Sequence, residues 1–458
     1  MSDVRGRDVT DKDVDGEDVG GTEVSSGKAM NRRHFLRTSG AGAGALALVG
    51  SGALSGCRAV AGPASATAPA VLAGGPDVVV VGAGAFGVWT ALHLQRMGSR
   101  VTLVDMWGPG NSRSTSGDET RGIRSSYGGR ELWTEWAHRS IDAWREFDRE
   151  WSPRMGDPLY YTTGDLILRD TEEGMITEVR ETWDQVGVPY EVLTPDEVRA
   201  RWPQIGIEGM EAALYEPGAG VVRSREACRR VANIFQQEGG VLRMARAELG
   251  SSAGGRLGAL TLNGEADALG ADRFVFALGP WFPKAFPEIM EDRMRIATMG
   301  HVFYMGTPPG DYRFDYPNLP SWNFPGVTGW PSLPPDHRGF RIRAGASAHP
   351  DPDTSVRWIP GEFHDRPFEV LRERFPAIAE QPIVETRACH YESSVSRDWI
   401  IDRHPELDNV WFAGGGSAEG FKFGPLIGDL IASRALEDGR FAELDDEFRL
   451  IGLEPEQE

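Results

Sequence analysis

The chain contains very little cysteine: only Cys57, Cys228 and Cys389 occur among its 458 residues. So few cysteines cannot form a disulfide framework. No Cys-x-x-Cys pair and no cluster of cysteine and histidine provides the ligands of a metal site, so we expect no bound metal.

Lysine is also scarce, because only four of the 48 basic residues are lysine and the others are arginine. The lysines are Lys12, Lys28, Lys284 and Lys422. The formal net charge is −20, and no basic cluster stands out in the globular region. An acidic surface repels nucleic-acid phosphate, so we expect no nucleic-acid partner. In a chain this rich in arginine, a lysine in a distinctive sequence context carries more information than usual.

Long apolar runs are absent as well. Residues 38–56 form a weakly apolar stretch, rich in glycine and alanine, that is too short for a comfortable membrane span. The content of 40% hydrophobic and 25% charged residues is typical of a soluble globular protein. The length suits one large domain or two ordinary ones.

The N-terminal region carries two export features. Residues 31–37 read Asn-Arg-Arg-His-Phe-Leu-Arg, which looks like a twin-arginine signal, and Leu-Ser-Gly before Cys57 resembles a lipoprotein signal-peptidase site. We therefore predict a signal peptide at 1–56 and a flexible tether at 57–76. The twin-arginine machinery would export the folded protein to the outer face of the cytoplasmic membrane, the periplasm or the exterior. A lipid on Cys57 would attach it to the membrane. The alternative is a disordered tail rich in alanine and glycine.

A dinucleotide-binding pattern follows the tether. The folded part begins at Asp77, residues 78–81 form a β-branched run typical of a buried strand, and 82–87 read Gly-Ala-Gly-Ala-Phe-Gly. A helical pattern then stops at Gly98, and a second strand at 100–104 ends in Asp105. This order of strand, G-x-G-x-x-G, helix, strand and acid is the fingerprint of a dinucleotide site.

Each residue of this fingerprint has a physical task. Gly82 allows the tight turn, Gly84 lets the backbone approach a pyrophosphate, and Gly87 lets helix and strand pack closely. The helix N-terminus offers free N–H groups to the phosphates. Asp105 can accept hydrogen bonds from ribose hydroxyls. The fingerprint alone fits both FAD and NAD.

Two further segments favour FAD. A loop rich in glycine and serine at 108–117 leads into Thr-Arg-Gly-Ile-Arg at 120–124. Much later, a strand-like run at 409–413 enters a glycine-rich segment at 414–423, and a helix is predicted at 425–436. The chain thus returns, and its backbone can approach the cofactor closely a second time. A long cofactor that is contacted along its whole length requires such a second approach.

From about Asp77 to about Leu436 the sequence resembles the D-amino-acid oxidase superfamily. Within it, the chain is most similar to the group of monomeric sarcosine oxidase and N-methyltryptophan oxidase. The resemblance is carried by the segments GAGAFG at 82–87, TRGIR at 120–124, YEPGAGV at 215–221, ALGPW at 277–281 and GFKF at 420–423.

This resemblance implies an α/β fold with two domains. The first is a Rossmann-type FAD-binding domain built from the non-contiguous segments 77–165, 212–295 and 396–442. The second is an α+β substrate domain with a mixed sheet, formed by 166–211 and 296–395.

The resemblance also implies an enzyme that oxidises the C–N bond of an amino acid or secondary amine to an imine, which then hydrolyses. The flavin N5 would accept the hydride equivalent, and oxygen or another acceptor would receive the electrons. The cofactor-binding residues that we predict are Gly82, Gly84, Gly87, Asp105, Thr120, Arg121, Cys389, Gly415, Gly416 and Phe421.

Cys389 has a specific implied role. In the similar enzymes, a cysteine at this place bonds covalently to the flavin 8α-methyl carbon. A thiolate is a suitable nucleophile for that bond, and cationic neighbours would have to depress the pKa of Cys389. The alternative is a buried structural cysteine.

The resemblance further makes Lys422 and Arg124 ligands of a substrate carboxylate, and places Arg121 near the flavin ring. Two positions depart from the family pattern. Glu419 replaces a histidine, and this carboxylate could pair with Lys422, attract a cationic part of the substrate, or act as a base. Arg341 replaces a lysine that promotes reaction of the reduced flavin with oxygen, so an amine dehydrogenase with another acceptor stays open. An NAD(P)-linked dehydrogenase and a non-catalytic flavin-binding lipoprotein also stay open.

Overall fold

The computed structural model describes residues 74–263, 268–296, 298–349 and 351–450. The predicted signal peptide, Cys57 and the tether up to residue 73 lie outside these ranges. No helix within the described ranges is long and apolar enough to cross a membrane.

The described α-helices are α1 (Ala85–Arg96), α2 (Glu131–Met155), α3 (Met175–Val186), α4 (Pro195–Arg201), α5 (Ser224–Gln237), α6 (Phe282–Ala285), α7 (Pro287–Met290), α8 (Arg366–Arg374), α9 (Pro376–Ala379) and α10 (Gly424–Leu436). The first strands are β1 (Asp77–Val81), β2 (Arg100–Asp105), β3 (Arg121–Ile123), β4 (Tyr160–Tyr161), β5 (Asp165–Arg169), β6 (Glu191–Leu193), β7 (Ala212–Glu216), β8 (Gly220–Val222), β9 (Val241–Met244), β10 (Ala247–Leu249), β11 (Ser252–Ala253) and β12 (Arg256–Leu257). The remaining strands are β13 (Ala259–Leu262), β14 (Ala268–Gly270), β15 (Arg273–Phe276), β16 (Met294–Arg295), β17 (Thr298–Met305), β18 (Ser321–Phe324), β19 (Val327–Trp330), β20 (Phe340–Ala348), β21 (Ile383–His390), β22 (Ser393–Ser394), β23 (Ile400–Arg403) and β24 (Val410–Gly414).

A six-stranded sheet contains the predicted dinucleotide segment. Its order is β23-β24-β15-β1-β2-β9, and all neighbours are parallel except the edge strand β23, which is antiparallel to β24. The valines of β1 place this strand at the centre because both of its faces are covered: Val78 and Val80 belong to one apolar cluster, and Val79 and Val81 to another.

Helices α1, α2, α5 and α10 supply the first of these clusters, and β13, α6 and α7 supply much of the second. Helix α10 lies very close to α1, because a Cβ atom on Gly428 would be 2.5 Å from the Trp89 Cβ. The helix predicted at 425–436 is therefore confirmed. It packs on one face of β1, the strand that leads into the glycine fingerprint.

The second large sheet has eight strands in the order β21-β17-β20-β19-β18-β5-β7-β6. It is mixed, since β18 and β5 are parallel and the other pairs are antiparallel. Its apolar core includes Trp322 and Phe375, whose ring centroids are 4.7 Å apart. The predicted α/β class with a mixed substrate sheet is confirmed.

One predicted segment begins in the other sheet. The range 212–295 is predicted to belong to the FAD-binding domain, but its first strand, β7, pairs with β5 and β6 in the eight-stranded sheet. The chain leaves that sheet at Pro217–Ala219, and β8 then pairs with β3 and β4 in a small separate sheet. The reason is the short turn, which lets consecutive strands join different sheets. The division into two domains itself stays a prediction.

Candidate active site

A cavity of about 470 Å³ lies at the carboxyl ends of four parallel strands, lined there by Val81, Val104, Phe276 and Ala413. Its size falls within the range of about 300–1,000 Å³ typical of ligand sites. In open α/β sheets, ligands bind beyond these strand ends.

The glycine fingerprint forms one wall of this cavity, and its glycines are needed for different reasons. Gly82 has a φ of +104°, and a Cβ there would be 2.3 Å from the Ala277 carbonyl oxygen. A Cβ on Gly87 would be 1.7 Å from the Gly82 carbonyl oxygen. Gly84 lines the cavity, and a Cβ there would have Ser116 Oγ as its nearest neighbour, at 3.4 Å. Gly82 and Gly87 are therefore required by the fold, whereas Gly84 keeps space open for a ligand.

Asp105 lines the same cavity in a fixed orientation. Its Oδ2 accepts the Ala83 N–H at 2.8 Å, and its Oδ1 accepts the N–H groups of Trp107 and Gly108 at 2.8 and 2.6 Å. Burial raises the pKa of Asp105 and these three hydrogen bonds oppose the rise. The carboxylate is held where it can accept further hydrogen bonds from a ligand.

The cavity is also lined by Arg121, Gly416 and Phe421. Four predicted cofactor residues do not line it, and one of them is Gly87, which serves the turn instead. Gly415 packs with a φ of +70° against the backbone of residues 398 and 400. Thr120 accepts the Trp330 indole N–H at 3.1 Å and lines a second cavity. Cys389 is buried behind the wall. Sequence reasoning missed Ser116, Tyr391 and Glu392, which do line it.

The environment of Cys389 differs from the expectation. Arg121 Nη1 lies 2.6 Å from Asp118 Oδ2, and Arg341 Nη2 lies 3.2 Å from the same oxygen. Burial raises the pKa of the Cys389 thiol, Asp118 adds to the rise, and Arg121 and Arg341 oppose it. Cationic neighbours are therefore present as expected, but burial outweighs them, and they are shared with Asp118, a carboxylate that the sequence reasoning did not consider. The covalent bond stays a prediction.

Lys422 and Glu419 form a tight cluster beside the cavity. Lys422 Nζ donates to Glu419 Oε2 at 2.6 Å and to the Tyr127 hydroxyl, which in turn donates to Glu419 at 3.0 Å. Burial disfavours the charged form of Glu419, but Lys422 and Arg124 outweigh it and lower the Glu419 pKa to about 2. Glu419 therefore stays ionised and satisfies the lysine charge.

Arg124 lies close to this cluster but has no ion pair with any described residue. Burial opposes its charge, while Asp165 and Glu419 outweigh that effect and raise the Arg124 pKa. Asp165 is only 3% exposed, and its Oδ2 has no hydrogen-bond partner among the described residues. Arg124 is thus a partly exposed cation that can take a ligand carboxylate as its partner, whereas Asp165 is closed off from solvent.

Glu216 positions the backbone next to Arg124. It stands opposite Asp165 in the ladder of β5 and β7, and it accepts the Ser125 N–H at 3.0 Å and the Ser125 hydroxyl at 2.6 Å. Sequence reasoning missed both carboxylates. The available signal was an acid at the start of the otherwise apolar strand Asp-Leu-Ile-Leu.

Arg341 and Arg343 lie on the same face of β20, two residues apart. Arg343 Nε donates to the hydroxyl of Tyr391 at 3.0 Å, and Tyr391 lines the cavity. Arg341 instead stacks on Trp330 at 3.7 Å and lines the second cavity. Arg343, which the sequence reasoning passed over, therefore contacts a residue of the cavity wall directly, whereas Arg341 reaches Arg121 of that wall only through Asp118.

Glu216 should make the stability of the protein depend on pH. Burial raises its pKa from 4.5 to about 7, against the hydrogen bonds from Ser125. An acid with a raised folded-state pKa stabilises the fold below its unfolded pKa, and that contribution is lost as the pH rises through the folded value. Between about pH 5 and pH 8, the free energy of unfolding of the parent should fall by about 2 to 3 kcal/mol more than that of Glu216→Gln. Urea unfolding across this pH range measures the difference, and parallel curves would show that Glu216 is ionised throughout.

Comparison with known proteins identifies the family. Residues 77–434 match the family model described as FAD dependent oxidoreductase. This match spans well over half of the chain, and the protein belongs to that family. FAD is its cofactor, and the NAD(P)-linked alternative is not supported.

Individual relatives are more distant. The chain is 27% identical to monomeric sarcosine oxidase of Bacillus sp. (strain B-0618) over 378 residues, which cover 79% of this chain and 92% of that enzyme. It is 24% identical to N-methyl-L-tryptophan oxidase of Yersinia pestis (strain Pestoides F), with 78% and 94% covered. Among solved structures, L-proline dehydrogenase from P. horikoshii matches the fold with a TM-score of 0.69 at 20% identity, covering 80% of this chain and 94% of that one.

The residues of the cavity fit FAD. Gly84 leaves space at the N-terminus of α1, where N–H groups favour a pyrophosphate, and Asp105 is oriented for a ribose. Gly416 and Phe421, near the start of α10, provide the second approach, and Arg121 adds a positive charge. FAD would be held by these residues along its length.

Proposed function

We propose that this FAD-dependent oxidoreductase oxidises the C–N bond of an amino acid or secondary amine that carries a carboxylate. The observation that carries the proposal is a pair of neighbouring cations, the buried Lys422 and the partly exposed Arg124. Phe421, which precedes Lys422 in the chain, lines the cavity. The named activities of the relatives support the same substrate class, since sarcosine, N-methyl-L-tryptophan and proline are all amino acids with a secondary amine.

FAD, when bound, supplies the acceptor for a hydride equivalent from the carbon next to nitrogen. The protein residues would bind and orient the substrate. Arg124 has no ion pair among the described residues and would grip the carboxylate through two N–H groups, while Lys422 would contribute a point charge. Tyr127 and Glu419 hold the Lys422 ammonium in place.

Glu419 is a poor candidate for a general base. Its pKa of about 2 makes it a weak proton acceptor. We assign no base, since an amine that binds uncharged needs none. Glu419 instead competes with the substrate carboxylate for the Lys422 ammonium. This competition would distinguish the enzyme from relatives with a histidine at that position.

A dehydrogenase that passes electrons to an acceptor other than oxygen is the second candidate. It is favoured by Arg341, which is bound to Asp118 and stacked on Trp330. A guanidinium in these contacts does not replace a compact ammonium beside the flavin. Comparing reoxidation of the reduced enzyme by oxygen and by an artificial quinone separates the two candidates.

Lys422→Met should weaken reduction of the flavin by an amino-acid substrate by about tenfold to a hundredfold at subsaturating concentration. A charge-assisted hydrogen bond shielded from water is worth about 1.5–3 kcal/mol. The measurement is anaerobic flavin bleaching, with the amino acid compared against the matching amine that lacks its carboxylate. The decarboxylated amine should be insensitive to the substitution.

The matched control is Lys422→Met with Glu419→Gln. It tests whether the loss arises from an uncompensated Glu419 charge rather than from the missing ammonium. The carboxylate site would be refuted if the decarboxylated amine reduced the flavin of the parent as well as the amino acid does, and if Lys422→Met changed neither rate.

We also propose that the protein is exported by the twin-arginine machinery and lipidated at Cys57. Arg32→Lys with Arg33→Lys should retain the protein in the cytoplasm, and Cys57→Ala should release exported protein from the membrane fraction. Fractionation of expressing cells measures both. Normal export of the double lysine variant would overturn the assignment.

A further inference from the structure

A second cavity of about 210 Å³ is linked by ion pairs to the cavity of about 470 Å³, the flavin cavity: Arg341 lines the former and Arg121 the latter, and both contact Asp118. Thr120, Tyr304 and Trp330 form part of its wall. Its most distinctive feature is the number of arginines that line it: Arg223, Arg225, Arg229, Arg338 and Arg341.

The carboxylates around this cavity do not balance these arginines. Asp118 is shared by Arg121 and Arg341. Glu119 and Glu385 are shared by three arginines, namely Arg225, Arg338 and Arg387. The first group has two arginines and one carboxylate, and the second has three arginines and two carboxylates. Each of these two groups therefore has one excess positive charge.

Arg229 makes no ion pair with any described residue, but Glu226 also lines the cavity and offsets its charge. Arg223 is paired with Asp336, so the excess is that of the two groups above. The burial of Arg225 lowers its pKa, and repulsion by Arg387 and Arg229 contributes, with Glu119 opposing. A local excess of positive charge is unusual in a chain with a net charge of −20. It indicates a site that attracts an anion.

Arg341 gives an independent indication of a ligand. It is 4% exposed, and its Nε and Nη1 have no hydrogen-bond partner among the described residues. Its guanidinium is fixed by the Trp330 ring and by Asp118, and it lines the cavity. Buried guanidinium N–H groups without a partner are costly, and an oxyanion would satisfy them.

We propose that this second cavity binds a small multivalent oxyanion of the size of phosphate or sulfate. The arginine forks suit the tetrahedral oxygens of such an anion. The site is connected to the flavin, because Arg341 shares Asp118 with Arg121, which lines the flavin cavity. Binding would change the charge balance at Arg121, so the flavin spectrum should report it.

The test uses the FAD-loaded enzyme and inorganic phosphate as the probe. Phosphate is titrated at constant ionic strength, maintained with sodium chloride, and binding is followed by calorimetry and by the flavin absorbance. We expect saturable binding of one phosphate per chain with a small shift of the flavin spectrum. Absence of saturable heat, or an identical response to chloride, would overturn the proposal.

Two variants with the same charge change make the test specific. Arg229→Glu places a carboxylate at the cavity and should weaken phosphate binding by about tenfold or more. Arg199→Glu makes the same change on the exposed face of α4, outside the cavity, and should leave binding unchanged. Both arginines lie on helix surfaces, and retained flavin absorbance shows that each variant is folded. Equal weakening in both variants would show a general charge effect and overturn the site.

Discussion

Gly84→Val should give a folded protein that binds FAD about tenfold to a hundredfold more weakly than the parent, or not at all. The Gly84 Cα faces the cavity, and a Cβ there meets only Ser116 Oγ at 3.4 Å, so the protein itself tolerates a side chain. The valine methyl groups would instead occupy the space of the pyrophosphate. Overpacking of this kind costs about 1–3 kcal/mol, and each 1.4 kcal/mol is a factor of about ten in affinity.

The control for this prediction is Gly361→Val. No atom lies within 4 Å of a Cβ at Gly361, and the residue does not line the flavin cavity. Gly87→Val serves as the opposite control, because a Cβ 1.7 Å from the Gly82 carbonyl oxygen should prevent the turn from forming. Folded Gly84→Val protein with the flavin content of the parent would show that the pyrophosphate does not lie at Gly84.

Cys389 has to be included in this experiment. We propose a covalent bond from Cys389 to the flavin, and such a bond would retain flavin whatever the residue at position 84. Acid precipitation of the parent should then leave yellow colour in the pellet, and Cys389→Ala should release it. Affinities are compared in the Cys389→Ala background. Flavin found only in the supernatant of the parent would reduce Cys389 to a packing residue, which its buried, raised-pKa thiol would also permit.

The sequence was sufficient for the parts of the fold that local patterns determine. The valine run, the glycine turn and the helix that follows are encoded within about 30 residues, and β1, α1 and β2 form as predicted. The strand at 410–414 and helix α10 are equally local. The observed bounds differ from the predicted ones by one residue at most at these elements.

The buried charges of the site could not be predicted in this way. Asp118, Asp165 and Glu216 occur in a loop and at strand ends, where acids are usually exposed. They are buried by residues from distant parts of the chain. Asp118 contacts Arg341, and Glu216, opposite Asp165 in the ladder of β5 and β7, contacts Ser125. Position alone also could not separate Arg341 from Arg343, since both lie on one face of β20. Arg341 lines the second cavity, whereas Arg343 contacts Tyr391 in the wall of the flavin cavity.

Glu419→Gln should raise the apparent affinity for an amino-acid substrate by about tenfold or more. In the parent, Glu419 already occupies Lys422 Nζ at 2.6 Å, so a substrate carboxylate must compete with an internal one. Two carboxylates at one ammonium repel each other, and a like charge in such a site costs several kcal/mol when it is not relieved. Glutamine keeps the shape and a hydrogen-bond acceptor while removing the charge.

The comparison between substrates makes this result diagnostic. Glu419→Gln should improve flavin reduction by the amino acid but not by its decarboxylated counterpart, and Glu419→His should shift preference toward small N-methyl amino acids. A partly buried Glu419 also stabilises the Lys422 ammonium, whose pKa is lowered by burial and raised by Glu419. If Lys422 becomes neutral in the variant, substrate affinity should fall as the pH rises toward the lowered lysine pKa. Anaerobic reduction measured across pH distinguishes that case from relief of competition. Weaker reduction by the amino acid at every pH would show that Glu419 binds the substrate rather than competing with it.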